Sequence, residues 1–404
     1  MRQLCLLWTV LISLLAVSSC SQYTANYQPH VDHQLLKASW LPYINTDPTK
    51  WTAHADRWYF SGEPNITERD ASSAPYGDAT TIMAVRVPNF TQLYVDGSFQ
   101  VQIIGNQDKN SLYILGPHAE ARQVNVEIHH QTLSVVQAPN SQTKLKNVII
   151  RIGIHDLTRL VYSNCGNVTG RDIRSSHLVI QSTGSGTVLL DGRMNVSNIN
   201  QYGTGTVTVI GAYTPHVCLS AASSGNINVS GRVGVDEIDH AGNGTINVIG
   251  MDTNSLTIQA QASGLTALAG YANLKSLTAQ DNARVYLYWV DSNGLSIVQR
   301  NNANVGLAGT TNNLNLDVGN SAHFDGQFLR SCTAYAQTYG WAHANVRASQ
   351  KIFAFAADNS SIYFFGPPSI LLAQTSGNGS VIPVGDETKL PPMITKWRMK
   401  KVYK

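Results

Sequence analysis

Short segments in which apolar and polar residues alternate recur along most of this chain. Examples are TGSGTVLLDG, YGTGTVTVIG, ASSGNINVSG and HAGNGTINVIG, the last of which spans residues 240–250. In each segment a small residue precedes a run of Val, Ile, Leu, Thr or Asn. Because successive side chains of a β-strand point to opposite faces, the pattern predicts short strands with one apolar face.

The small residue before each run, which we term the tip residue, recurs at nearly constant spacing. The tip residues are Gly186, Gly205, Gly225, Gly244, Gly264, Ala283, Ala303, Ala322, Ala342, Ser361 and Gly379. The spacing is about 19–20 residues throughout, and a fixed period of this kind is typical of a solenoid, a propeller or an array.

Apolar residues fall into three columns when the segments are aligned on their tips. The first column is Val188, Val207, Ile227, Ile246, Val285 and Val305; the second is Leu190, Val209, Val229, Val248, Leu268, Leu287, Leu307 and Phe324; the third is Leu178, Val196, Val217, Val235, Leu256, Leu274, Leu295 and Leu314. Polar residues such as Thr208, Asn228 and Asn247 separate the first two columns. One short strand cannot bury an apolar face alone, so stacked copies are needed to build a continuous core.

These features predict an all-β chain folded as a parallel β-helix with rungs of about 19–20 residues. A β-propeller is the alternative, because two successive steps together have about the length of a propeller blade. The four strands of a blade are not equivalent, whereas the two halves of this double step resemble each other. We therefore favour the solenoid, over residues 86–385, and expect residues 90–165 to form its first, wider rungs.

The regions outside the solenoid have different compositions. Residues 1–19 have Arg2 followed by a short apolar core, as in a lipoprotein signal peptide. The segment Val17-Ser18-Ser19-Cys20 resembles a bacterial lipobox, which predicts lipidation of Cys20 and anchoring in the membrane, with Ser21 favouring the outer membrane. Residues 20–85 are expected to form a tether and an irregular N-terminal cap, and 386–404 a basic C-terminal tail, whose KWRMKKVYK ending (396–404) either is solvated or contacts anionic headgroups.

Composition narrows the classes of function. Only 13% of the 404 residues are charged and the net charge is +3, which gives no support to nucleic-acid binding. Cys165, Cys218 and Cys332 lack CxxC spacing, so no zinc or redox motif is visible and no disulfide among them is expected. We expect no cofactor and no metal site.

Acidic residues are the candidates for an enzyme, because a β-helix that cleaves polysaccharides needs carboxylates on one outer face. They are Asp191, Asp236, Glu237, Asp239, Asp252, Asp281, Asp291, Asp317 and Asp325. We expect most of them at turns, including the dense group Asp236-Glu237-Asp239-His240, which is either a solvated turn or a metal or catalytic site. The adjacent His129 and His130 are expected on a strand with opposite orientations, which does not suit one shared metal.

Aromatic residues gather late in the repeat region and favour binding. They are Tyr335, Tyr339, Trp341, Phe353, Phe355, Tyr363, Phe364 and Phe365. Alternate members are expected to fill the core of widened rungs, and the others to form a surface on which a sugar or a partner could stack.

Several phrases together resemble one known family. They are VPNFTQLYVDGSFQVQIIG, VNVEIHHQTLSVV, NVIIRIGIHDLTRLVYSNCGNV, STGSGTVLLDG, QYGTGTVTVIG and GPPSILLAQTSGNGSVIPVG, in this order over residues 87–385. They resemble the putative auto-transporter adhesin, head GIN domain family. The resemblance implies an exported bacterial protein and a right-handed parallel β-helix, and it supplies no catalytic residues. Rungs from about residue 264 to 350 depart from the family pattern, since they lack the SGSG tip.

The leading interpretation is a non-enzymatic, lipid-anchored, adhesin-like protein of the cell envelope. It would bind a glycan, an envelope polymer or a protein partner, with its membrane contact through Cys20. A polysaccharide lyase or hydrolase and a structural envelope spacer are the alternatives. No catalytic residue is assigned.

Overall fold

A computed structural model describes residues 51–54, 57–60, 80–139 and 144–384. The signal peptide, Cys20 and the basic tail lie outside these residues. The chain divides into two compact units. Within the described residues, the first unit contains 51–272 and 278–285 with the gaps above, and the second contains 273–277 and 286–384.

Nearly all described elements are strands. The early ones are β1 (Trp51–His54), β2 (Arg57–Phe60), β3 (Thr80–Val85), β4 (Gln92–Asp96), β5 (Gln100–Ile104), β6 (Ser111–Pro117), helix α1 (His118–Ala121), β7 (Val124–His129), β8 (Thr132–Gln137), β9 (Ile149–Gly153) and β10 (Arg159–Ser163). The long ones are β11 (Asn167–Ser182), β12 (Thr187–Gln201), β13 (Thr206–Ala221), β14 (Asn226–His240), β15 (Thr245–Ala260), β16 (Leu265–Ala279), β17 (Arg284–Gln299), β18 (Asn304–Val318), β19 (His323–Thr338) and β20 (His343–Ala356). The last are β21 (Ser361–Phe365), β22 (Ile370–Thr375) and β23 (Ser380–Val384).

The long strands stack in parallel, one per rung, which confirms the parallel β-solenoid. Thr206 of β13 pairs with Thr187 of β12 on one side and with Asn226 of β14 on the other. In the second unit, His323 pairs in the same way with Asn304 and His343. Each of these residues directly follows its own tip residue. The tip residues therefore mark successive rungs, as their spacing predicts.

Each long strand of the first unit bends twice. Register shifts in β13 against β14 occur between Ile210 and Ala212 and on both sides of Val217, so these two places divide a rung into three segments. Glycine occupies the first bend because its backbone is left-handed there: Gly231 has a φ of 143° and Gly250 a φ of 79°. A Cβ on Gly231 would also overlap with the carbonyl oxygen of Ala212 on the preceding rung.

The three predicted apolar columns are all buried, with side chains no more than 2% exposed. One assignment is wrong: Phe324 pairs with Val305, so it belongs to the first column and not the second. Gly326 stands two residues further along. A Cβ there would overlap the edge of the Phe324 ring and lie 2.8 Å from its Cζ. The Phe324 ring therefore fills the space that a second-column side chain would occupy.

The first rungs, in residues 90–165, are not built in the order of the sequence. Strands β4 and β5 lie between β8–β9 on one side and β10–β11 on the other, so the chain does not add these rungs in sequence. The reason is that two of the intervening strands pair antiparallel to their neighbours. Strand β6 pairs with β3 and β9, and β7 forms a hairpin with β8. The predicted cap region contributes β3 to this arrangement. It also contains the separate antiparallel pair β1–β2, and β2 lies beside β13 and β14.

Candidate binding surfaces

The acidic residues do not gather at turns as expected. Only Asp281 of the nine candidates lies in a turn, and the other eight lie within strands, because each strand continues through its bends. In the group from Asp236 to His240, alternation sends the side chains in different directions. His240 is fully buried, whereas Glu237 and Asp239 are exposed. The interpretation of this group as one solvated turn or one site is therefore wrong.

The exposed carboxylates of this group have no acidic neighbours on the adjacent rungs. Glu237 pairs with Cys218 and Thr257, and Asp239 in the same way with Ser220 and Gln259. Asp236 instead accepts a hydrogen bond from Nδ1 of His216, at 3.0 Å. The cross-rung pair of carboxylates that glycoside hydrolysis calls for does not form at this place.

Metal and membrane features were also sought in the described part of the chain. No group of three or more His, Cys, Asp or Glu residues there is arranged to hold a metal ion. His129 ends β7, but His130 lies in the β7–β8 turn with a φ of 46°, so only one of the two is on a strand. None of the described helices is long and apolar enough to span a bilayer. Cys165 and Cys218 are free thiols, and the Cys332 thiol donates to Oδ1 of Asn312 at 3.8 Å.

The late aromatic residues lie mostly outside the core, contrary to the expectation that alternate ones fill it. Only Phe364 of the eight is buried. The inward positions beside them are held by Ala334, Ala336, Ile352, Ala354 and Ile362. Strand alternation gives the inward positions to these small and aliphatic residues, so most of the rings point to the outer face.

Three rungs of the second unit form an apolar surface that we call the aromatic patch: Tyr335, Phe353, Phe355, Ile370 and Leu372. Its middle row consists of Tyr335 on β19, Phe353 on β20 and Leu372 on β22, which are register partners. The rings of Tyr335 and Phe353 stack with centroids 4.7 Å apart and an interplanar angle of 5°. Tyr335 is 48% exposed and Leu372 58%.

Another face of the second unit carries a histidine ladder. The rings of His323 and His343 stack at 4.9 Å, and His343 also lies 4.7 Å from the ring of Tyr363. Burial lowers the pKa of both histidines, and for His343 the neighbouring charge of His323 acts in the same direction. Nδ1 of His343 is 2.8 Å from Oγ of Ser361. The ladder is therefore a neutral, hydrogen-bonded stack at ordinary pH.

A polar clamp joins three rungs near the tips of the second unit. Arg300 donates to both carboxylate oxygens of Asp317, at 2.6 and 3.2 Å, and Tyr339 donates to Asp317 at 2.5 Å. Burial raises the pKa of Asp317, but these hydrogen bonds and the Arg300 charge outweigh it and lower the pKa overall. Burial and the Asp317 carboxylate raise the pKa of Tyr339 to about 12.

The first unit carries an exposed series that we call the arginine ladder: Arg174, Arg193, Tyr213 and Arg232. They follow one another at the rung period, with one residue on each of the successive strands from β11 to β14. The guanidinium carbon of Arg193 lies 4.9 Å from the centroid of the Tyr213 ring, and that of Arg232 lies 6.0 Å from it. Sequence reasoning overlooked this series, although the rung period applied to charged residues would have found it.

Comparison with known families gives one match over most of the chain. Residues 89–275 and 269–368 match the sequence profile of the family described as putative auto-transporter adhesin, head GIN domain. A comparison with curated proteins finds no match.

Three solved structures to which this chain is similar come from species of Bacteroides and Parabacteroides. A putative adhesin from Bacteroides fragilis is 14% identical, with 76% of this chain and 98% of that chain covered and a TM-score of 0.22. A putative lipid binding protein from Parabacteroides distasonis is also 14% identical, with the same coverage and a TM-score of 0.25. A putative adhesin from Parabacteroides merdae is 13% identical, covering 76% and 97%, with a TM-score of 0.22.

Proposed function

Because the chain belongs to the putative auto-transporter adhesin, head GIN domain family, we propose that it is a non-enzymatic, adhesin-like protein of the cell envelope. It holds a glycan, an envelope polymer or a protein partner on the outer faces of its rungs. The observation that carries this proposal is the aromatic patch of the second unit.

The aromatic patch is suited to contact rather than to chemistry. Tyr335, Phe353 and Leu372 place apolar surface in one row across three parallel strands, with Thr333 and Lys351 at its border. Contiguous apolar surface with a polar rim marks an interaction site in a soluble domain. Covering it would remove apolar area from water, a gain of roughly 25 cal/mol for each Å².

The enzyme alternative has less support from the same geometry. A catalytic carboxylate needs a partner group placed across the scissile bond. Glu237 and Asp239 are exposed and face neutral register partners, and Asp236 is engaged by His216. Asp252 and Asp317 are each paired with an arginine.

The binding proposal is tested with beads coated with the purified protein on a glycan array and on peptidoglycan sacculi. We expect retention on at least one surface and no released sugar. Tyr335→Ser with Leu372→Ser should weaken retention by about tenfold, since both exposed anchors are lost. The matched control is Tyr113→Ser with Tyr202→Ser, which removes exposed rings elsewhere (40% and 49% exposed).

The outcomes separate the three functional classes. Equal retention by the patch variant and the control would remove the aromatic patch from the proposal. Retention on no surface would favour a structural spacer. Release of sugar fragments that Glu237→Gln abolishes would establish an enzyme in place of a binding protein.

Anchoring at Cys20 is the second part of the proposal, supported by the lipobox segment that precedes it. A thiol lipidated at the outer membrane would place the solenoid in the envelope, where an adhesin acts. Cys20→Ala should move the protein from the membrane fraction to the soluble fraction of its bacterial host. Cys165→Ala, which removes an exposed thiol of the solenoid, is the control and should stay with the membrane. Membrane retention of Cys20→Ala in high salt would refute the anchor.

A further inference from the structure

Two positive charges lie side by side on the first unit without an acidic partner. Arg174 of β11 and Arg193 of β12 are register partners on adjacent strands, and both are exposed. Within the described residues, neither arginine forms an ion pair with a carboxylate. Like charges directly opposite each other on neighbouring strands are unfavourable. An anion bound between these two guanidinium groups would relieve the repulsion.

Tyr213 extends the same line of charge to a further rung. The Arg193 guanidinium approaches its ring from the preceding rung, and the Arg232 guanidinium approaches from the following one. Each contact is a cation–π interaction that helps to orient a long side chain, and Arg232 is held by Asp252 as well. The tyrosine therefore fixes two guanidinium groups about two rung spacings apart, roughly 10 Å at the usual distance between parallel strands.

We propose that the arginine ladder binds a linear anionic polysaccharide that runs along the stacking direction of the rungs. This inference rests on the proposed binding role and names a ligand class for it. Guanidinium groups bind carboxylates and sulfates through paired, parallel hydrogen bonds. Charges repeated at the rung spacing match a polymer that carries carboxylates or sulfates at regular intervals.

The surroundings favour a polysaccharide over other polyanions. Guanidinium groups approach the Tyr213 ring from the preceding and the following rung, so a nucleic-acid base would have to compete with them to stack on it. The outward positions two residues further along the strands are neutral: Asn195 on β12, whose side chain donates to the carbonyl of Ser176, and Pro215 on β13. On the other side of the ladder, Asp172 and Asp191 stand two residues before Arg174 and Arg193 and confine a polyanion to the line of arginines. A line of charge one residue wide suits a chain laid along it better than the plane of a bilayer.

Asp252 forms an ion pair with Arg232, the last residue of the arginine ladder. Its carboxylate lies 3.3 Å from Nη2 of Arg232, and both side chains are at least half exposed. A bound polyanion would compete with this carboxylate for the Arg232 guanidinium. Asp252→Asn should therefore strengthen binding by about fivefold, the size expected for removal of one exposed charge contact.

The experiment measures the affinity of the purified protein for polygalacturonate, which carries one carboxylate on each sugar. Dextran sulfate is the sulfated probe and dextran the neutral one. We expect binding of both anionic probes that weakens as salt rises, and none of dextran. Arg193→Ala with Arg232→Ala should weaken polygalacturonate binding by about tenfold or more. Arg122→Ala with Arg159→Ala removes two exposed charges elsewhere and should leave it unchanged.

Three results would overturn the inference. The first is an equal loss of polygalacturonate affinity in the two double arginine variants. The second is an unchanged polygalacturonate affinity in Asp252→Asn. The third is ladder-dependent binding to phosphatidylglycerol vesicles or to single-stranded DNA that is at least as strong as binding to polygalacturonate. An unchanged unfolding midpoint shows that a variant is folded. If beads still bind through the aromatic patch while polygalacturonate is not bound, the arginine ladder fails as a site and the proposed function stands.

Discussion

The strands from β10 to β15 and those from β18 to β20 fill the space beneath their tips in different ways. In the first group the tips are glycines, and on every second rung the inner position beneath them holds a large side chain, namely Tyr162, Gln201 or His240. In the second group the tips are alanines with buried methyl groups, and the inner column holds Val318, Thr338 and Ala356. Gln299, the inner residue at the end of β17, is an exception next to the alanine tips, since it is buried and its amide donates to the carbonyls of Ala303 and His323. From β18 to β20 the bulk lies at the tip and not in the inner column.

The two solutions place polar atoms differently. The Gln201 amide donates to the carbonyl of Gly205 at 2.6 Å, and the Tyr162 hydroxyl donates to the carbonyls of Asn164 and Gly166. The carbonyls of Asn164 and Gly205 also accept backbone N–H groups of the next rung, so these side chains add a second hydrogen bond inside the tip. Near the alanine tips Gln299 makes one such bond, and residues with positive φ, such as Asn301 and Asn320, shape the turns. One strand repeat therefore tolerates two kinds of corner, provided that the volume beneath the tip is conserved.

The largest expected effect tests the strand alternation that both groups share. Val248→Asp places a carboxylate at a position that is 0% exposed, so unfolding should become easier by about 4 kcal/mol or more. Asn247→Asp changes the neighbouring, half-exposed position and should cost less than about 1 kcal/mol. Urea unfolding of both variants provides the comparison, and equal losses of stability would contradict the assigned faces.

The next prediction converts one kind of tip into the other. Gly264→Ala adds a methyl group that overlaps the His240 ring and lies 2.6 Å from the carbonyl oxygen of Gly242, so a loss of about 2–3 kcal/mol is expected. Combining it with His240→Ala should recover part of that loss. Ala303→Gly is the reverse change at an alanine tip and should cost about 1 kcal/mol. Additive effects of the Gly264 and His240 changes would show that the two positions do not share space.

The strand period and the three columns could be predicted from sequence because each residue there serves the repeat. The change from glycine tips to alanine tips could not be predicted in this way, since it depends on which side chain of a neighbouring rung reaches under a glycine. His240 illustrates this: beside Asp236, Glu237 and Asp239 it looks like part of an acidic surface, yet alternation buries it. The predicted orientation of the late aromatic residues is wrong for a related reason. Apolar character alone does not reveal which of two alternating positions faces the core, and here Ala334, Ala336 and Ala354 take the inward positions.

His240 gives the glycine tips a pH dependence. Burial lowers its pKa from 6.5 to about 4, with the nearby Asp239 carboxylate acting in the opposite direction. The unfolded chain therefore binds more protons than the folded one between these values. Stability is intact above pH 6.5 and falls as the pH drops toward 4, by about 2 kcal/mol at pH 5.

His240→Gln, which copies the side chain at Gln201, should remove this contribution. The measurement is the free energy of unfolding at pH 7 and pH 5 for both proteins. The variant should lose less stability over this range than the wild type. His216→Gln, at an exposed histidine, is the matched control. A pH dependence that His240→Gln leaves unchanged would show that this ring is not protonated on unfolding.

The smallest effect concerns the polar clamp near the alanine tips. Asp317→Asn removes the carboxylate that Arg300 and Tyr339 both contact, and we expect a local loss of about 1 kcal/mol at pH 7 because the group is partly exposed. The folded pKa of Asp317 is lowered, so its contribution is present above the ordinary pKa of 3.8 and is lost as the pH falls through the folded value. Amide hydrogen exchange along β18 reports this loss at neutral pH, and urea unfolding near pH 3 should show the stabilities of the variant and the wild type converging.

Glu237→Gln removes an unclamped, exposed carboxylate and should change neither measurement. Faster exchange along β18 in Glu237→Gln as well would mean that overall charge, and not the clamp, sets the stability of these rungs.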